Sequence, residues 1–143
     1  MYILFEKILL ASDGSDHAIR AAEKAAFLAK EIAGATIEIL YIVDNETAKS
    51  DALRNIESHD IELTRNERLQ ATKDICYRII NKEIKTTMIH GEPGPSIVKY
   101  ANNGGFDLVV IGSRGLNTFQ EMVLGSVSHK VAKRANCPVM IVK

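Results

Sequence analysis

The chain has 143 residues, 46% hydrophobic and 25% charged, a size and composition that suit one folded domain with a real core and exclude a low-complexity chain. Eighteen basic residues balance eighteen acidic ones, which argues against a broad basic surface for nucleic acid. No apolar stretch approaches the roughly 20 residues needed to span a bilayer, so no membrane partner is expected.

The opening "MYILFEKILLASDG" carries a glutamate and a lysine inside its apolar run and has no small-residue cleavage site, so it reads as a first strand and not as a signal peptide. Within it, "KILLAS" (7–12) is continuously apolar at its centre, as in a strand covered on both faces. The next stretch repeats apolar residues every three or four positions, at Ala18, Ala22, Ala25, Ala29 and Ile32. It predicts a helix with Ser15 as its N-cap, Asp16 in its first turn and Gly34 at its end. "TIEILYIVD" (36–44), rich in β-branched residues, is the second strand.

A polar segment follows whose helical pattern is broken, and the periodicity recovers from about Asn66 to Lys82, with Leu69, Cys76, Ile79 and Ile80 on one side. The expectation is a mobile insert over about 45–65 leading into a second helix. "IKTTMIHG" (84–91) is the third strand, and "GPSIVKYANN" (94–103) a helix with Pro95 early, where its missing N–H costs nothing. "FDLVVIG" is the fourth strand, Ser126 to Ala135 the last helix, and "PVMIVK" the fifth strand. Strands alternating with helices predict one α/β domain over 1–143, a parallel sheet with helices on both faces.

Ligands of open parallel sheets sit beyond the carboxyl ends of the strands, where the strand order reverses. Two loops qualify: "ASDGSD" after the first strand and "GSRG" after the fourth. The second leads to a helix opening at "GSVS", and a helix N-terminus offers unpaired N–H groups and partial positive charge to an anion. Gly125 lets the chain enter that helix with its amides aimed at a phosphate, and Ser126 and Ser128 add hydroxyl donors. Gly112 and Gly115 permit a tight turn, leaving the N–H groups of Ser113, Arg114 and Gly115 as further donors. "HGEPGPS" (90–96) is a second glycine loop, but Pro93 and Pro95 remove two amides and the turn reading is preferred.

The spacing Gly112-x-x-Gly115, nine residues, then Gly125-Ser126 resembles the nucleotide loop of ATP-binding universal stress proteins. A chance match somewhere in the chain is about one in two hundred at average glycine and serine frequencies. "KILLASDGSDHAIRAAEKA", "LYIVD" and "CPVMIVK" look like the same family. The resemblance covers most of the chain and least the insert from about Asn45 to Asn66. It implies a Rossmann-like fold, a five-stranded parallel sheet of order 3-2-1-4-5, with strands 1 and 4 side by side.

It also implies that Asp13 and the backbone of Ile42 meet the adenosine half of ATP or another adenine nucleotide. The glycine loop with Ser126, Val127 and Ser128 would then hold the phosphates, and Mg or Mn would bind largely through them. Ala11 stands where many relatives have proline, and a backbone contact there survives the change. Arg114 occupies a variable position of the motif within reach of a phosphate. The apolar last strand, Pro138 to Lys143, would lie at a sheet edge and pair with its copy in a homodimer.

Three functions stay open from these residues: a nucleotide-binding stress-response regulator, a slow ATPase or autophosphorylating protein assisted by Arg114 or His129, and a nucleotide-independent interaction module. No Walker A, GxGxxG or GxSxG motif occurs. His17, His59, His90 and His129 show no metal-pair spacing, and no residue has an evident role as a base. Cys76 and Cys137 stand far apart with no CxxC pair, which suggests buried thiols in a reducing compartment, by default the cytoplasm.

Overall fold

In the computed structural model, the first strand, β1 (Lys7–Ser12), lies at the centre of the sheet because its side chains from Ile8 onward are all buried, alternately on the two faces. The structure describes residues 5–43, 58–113 and 124–143, with the backbone alone described over 58–65. After β1 come α1 (Asp16–Glu31), β2 (Thr36–Val43), α2 (Ser58–Ile80), β3 (Lys85–His90), α3 (Pro93–Asn103), β4 (Leu108–Gly112), α4 (Ser126–Arg134) and β5 (Val139–Val142). All strand pairs are parallel, and the order is β3-β2-β1-β4-β5, as the resemblance implied.

The period-2 alternation of the strands sorts the core into two layers. Ile8 and Leu10 of β1, Ile37 and Ile39 of β2, and Leu108 and Val110 of β4 pack against α1 and Cys76 of α2. Leu9, Leu40, Val109 and Ile111 point the other way, onto Ile97 and Ala101 of α3 and Val131 of α4. Helix α1 buries six alanines, Ala18, Ala21, Ala22, Ala25, Ala26 and Ala29. Small side chains let its backbone approach the sheet closely, a fact that matters at Gly112 below.

Ser15 caps α1 as expected, its Oγ accepting from the Ala18 N–H at 3.2 Å. That helix ends at Glu31, and Gly34 follows in a turn with φ +83°, so the glycine serves the return to β2. Helix α2 begins at Ser58, inside the segment 45–65 expected to be an insert before any helix. The correction has a plain cause. Glu62, Leu63 and Arg65 are good helix formers, whereas periodicity detects a helix only where a stripe of apolar side chains repeats. Residues 45–57 of that insert lie outside the described residues.

Candidate functional site

The strand order reverses between β1 and β4, which pair from Ile8↔Leu108 to Ala11↔Ile111. Their carboxyl ends therefore open on one crevice. Its first wall is the loop after β1. Asp13 accepts the Ser15 N–H at 2.9 Å through Oδ1, and the Gly14 N–H lies 3.3 Å from Ser12 Oγ. Gly14 has φ +79°, the left-handed region that favours glycine. The side chain of Arg68 from α2 lies against it, with Arg68 Cβ 2.6 Å from where a Gly14 Cβ would stand. Ala11 is buried beneath this loop, and Ile42 lies half-buried near the end of β2.

Ser113 is the hub of the second wall. Its N–H donates to the Val142 carbonyl at 2.8 Å, and its own carbonyl accepts the Gly125 N–H at 2.7 Å and the Ser128 Oγ at 2.9 Å. These bonds pull the start of α4 onto the end of β4 and leave Ser113 only 2% exposed. The Ser113 N–H, expected as a ligand donor, is thus already spent in extending the sheet. The Ser128 hydroxyl is spent likewise, on the Ser113 carbonyl with the Gly125 carbonyl 3.3 Å away. The Ser126 side chain is exposed.

Gly112 has no positive φ and forms no turn; it is the last residue of β4. A Cβ there would lie 2.8 Å from His17 Cβ and 2.9 Å and 3.0 Å from the His17 carbonyl carbon and oxygen. The glycine is required by the approach of α1, which its alanine stripe allows. His17 Nδ1 lies 3.3 Å from Ser113 Oγ, so the imidazole sits where the two walls meet. Arg114 and Gly115 lie outside the described residues.

The start of α4 is the chemically open part. Gly125 is its N-cap with φ −66° and ψ 158°, no side chain caps it, and no acidic residue lies in its first turn. The first intrahelical bond runs from the His129 N–H to the Gly125 carbonyl at 3.0 Å. Among the described residues, the N–H groups of Ser126, Val127 and Ser128 have no acceptor. Three aligned donors and the positive end of the helix macrodipole are what an anion needs.

Comparison with known proteins fits this arrangement. The sequence pattern of the universal stress protein family matches residues 4–143. The chain belongs to the universal stress protein family. It is 36% identical over 149 residues to the universal stress protein YxiE of Bacillus subtilis, covering 98% of this chain and all of that one. The solved structure of MJ0577 from Methanocaldococcus jannaschii superposes with a TM-score of 0.82 at 26% identity, covering 98% of this chain and 96% of that one. A universal stress protein from Archaeoglobus fulgidus, solved in complex with dAMP, gives 0.69 at 24% identity, covering 99% and 100%. At that identity the last likeness speaks for the fold alone.

Other candidate chemistry is muted. Among the described residues, no group of three or more His, Cys, Asp or Glu is arranged to hold a metal ion. Burial pushes the Cys76 thiol up to about 12 and, more mildly, raises that of Cys137, so neither is poised as a thiolate nucleophile. No helix among the described residues is long and apolar enough to cross a membrane.

Proposed function

We propose that the whole chain, 1–143, is one nucleotide-binding regulatory domain that holds ATP or AMP in the crevice between β1 and β4. The observation that carries this reading is the uncapped start of α4, with the N–H groups of Ser126, Val127 and Ser128 unsatisfied. In this assignment the phosphates rest on those amides and the Ser126 hydroxyl, with Gly125 leaving room for them. Gly112 and Ser113 hold the β4 end in place, and Arg114 and Gly115 complete the phosphate loop. The adenosine half meets Asp13 and the backbones of Ala11 and Ile42. Mg or Mn binds through the phosphates.

Family membership supports the reading, as does the Archaeoglobus fulgidus protein of the same fold that was solved in complex with dAMP. In this reading occupancy is the signal: the ligand alters shape or partner choice. Strand β5 lies at the sheet edge with Val139, Met140 and Ile141 partly exposed. Such an edge invites pairing with a second copy, a two-fold homodimer. Sedimentation at micromolar concentration returning twice the chain mass supports the dimer; a monomer mass rejects it.

Calorimetric titration with ATP and magnesium, of nucleotide-free protein and its Gly125→Val variant, tests the site. We expect binding in the parent and at least a tenfold loss in the variant with the far-ultraviolet circular dichroism unchanged. An absence of heat in the parent, or equal affinity in the two, overturns the reading.

A further inference from the structure

A cleft of about 580 Å³ runs along the β3 edge of the sheet, between β3 and α3. That volume lies within the range of small-molecule sites. None of its lining belongs to the loops after β1 or β4 or to the start of α4. Three ammonium groups, of Lys7, Lys85 and Lys99, surround it against one carboxylate, Glu38.

Glu38 is unusual for its place. It stands on the core-facing side of β2, in line with Leu40, and is 7% exposed. A buried carboxylate is costly unless it is paired and hydrogen-bonded. Here it is fully engaged: Oε1 pairs with Lys85 Nζ at 3.3 Å, and Oε2 accepts from Thr87 Oγ1 at 3.1 Å and from the Tyr100 hydroxyl. It therefore holds nothing out to an incoming cation. What it does is fix Lys85 and Tyr100 at the mouth of the cleft.

Lys7 is fixed as well. Its Nζ donates to the Gly104 carbonyl at 2.6 Å and lies 4.6 Å from the centre of the Phe106 ring. An ammonium has three donors, so one such bond leaves two of Lys7's unspent. Lys99 is exposed on α3 and has no anionic partner among the described residues. The rim thus carries excess positive charge, on two amines held by partners and a third that is exposed, over walls made partly apolar by Ile89 and Phe106.

We propose that this cleft binds a small organic anion, a carboxylate or phosphate ester with an apolar body, at a site separate from the α4 crevice. The charged group meets Lys7, Lys85 and Lys99, and the apolar body lies toward Ile89 and Phe106. Glu38 acts as a positioning residue for the rim.

Phenyl phosphate is the probe, titrated into the full chain, saturated with ATP and magnesium or without them, while backbone amide resonances are followed. Expected are shifts at Lys85, Lys99 and Tyr100, retained with ATP present, and at least fivefold weaker binding of inorganic phosphate. Lys99→Glu, an exposed change, should weaken phenyl phosphate at least fivefold, whereas phenol should give no saturable shift. Four outcomes would overturn the proposal: shifts confined to Ser126–Ser128, competition by ATP, equal affinity in Lys99→Glu, or saturable binding of phenol. A failure of ATP to bind leaves this test intact, so the two sites stand or fall separately.

Discussion

The two walls of the crevice use the same residue types to opposite ends. After β1, the amides of Gly14, Ser15 and Ala18 each find a side-chain oxygen two or three residues back, on Ser12, Asp13 and Ser15. Asp16 adds negative charge to the first turn of α1. After β4, the serines bond elsewhere, and α4 begins with neither a side-chain cap nor an acid. Serine and glycine content alone says nothing of which end is open. The accounting of donors and charges does: the α1 start has a side-chain cap on the Ala18 N–H and an acid in its first turn, and the α4 start has neither, so it keeps its positive end for something else.

The strongest way to break this contrast is to separate the walls. Gly112→Ala puts a Cβ within 3.0 Å of the His17 backbone. Neither α1 nor β4 can yield cheaply, because both are buried in the same core layer. Overpacking of this kind costs about 1–3 kcal/mol. Chemical denaturation should show that loss, with ATP affinity falling too as the Ser113 hub moves. A variant as stable as the parent would mean that α1 stands off from β4 in solution.

How much of this was legible beforehand follows from where each signal resides. The Ser15 cap and the order of elements are local, written in residue type and in periods of 2 and 3.6, and the structure agrees with both. The sheet order came through the family resemblance and not through pattern. Gly112 was read as a turn former, yet its reason is His17, 95 positions earlier in the chain and visible only once α1 packs. The same holds for Arg68 over Gly14 and for the carbonyl of Val142 that takes the Ser113 N–H. Glu38 passes for an ordinary polar residue in a strand until Lys85, Thr87 and Tyr100 are brought around it.

A second change makes the two helix starts alike. Ser126→Asp gives α4 the acidic first turn that α1 already has. A carboxylate there interacts favourably with the dipole by about 0.3–1 kcal/mol, so thermal stability should rise by a degree or more. It also occupies the ground proposed for the phosphates and repels them. We expect ATP affinity to fall about tenfold, equivalent to about 1.4 kcal/mol. Opposite signs in the two measurements are the signature; if affinity holds while stability rises, the phosphates do not sit on α4.

The smallest effect opens the closed wall. Ser15→Ala removes the Oγ that accepts the Ala18 N–H, and loss of such a cap costs about 1 kcal/mol. The Asp13 turn should survive, because its donor is the Ser15 backbone N–H and not the side chain. Ser15 is 7% exposed and its Oγ is taken up by the Ala18 N–H, so ATP affinity should stay within twofold of the parent while the denaturation midpoint drops. If instead the variant gained affinity, the newly freed Ala18 amide would be serving as an anion donor. The Ser15 cap would then be what keeps that amide from an anion, and the contrast between the two helix starts would rest on the cap more than on the Asp16 charge.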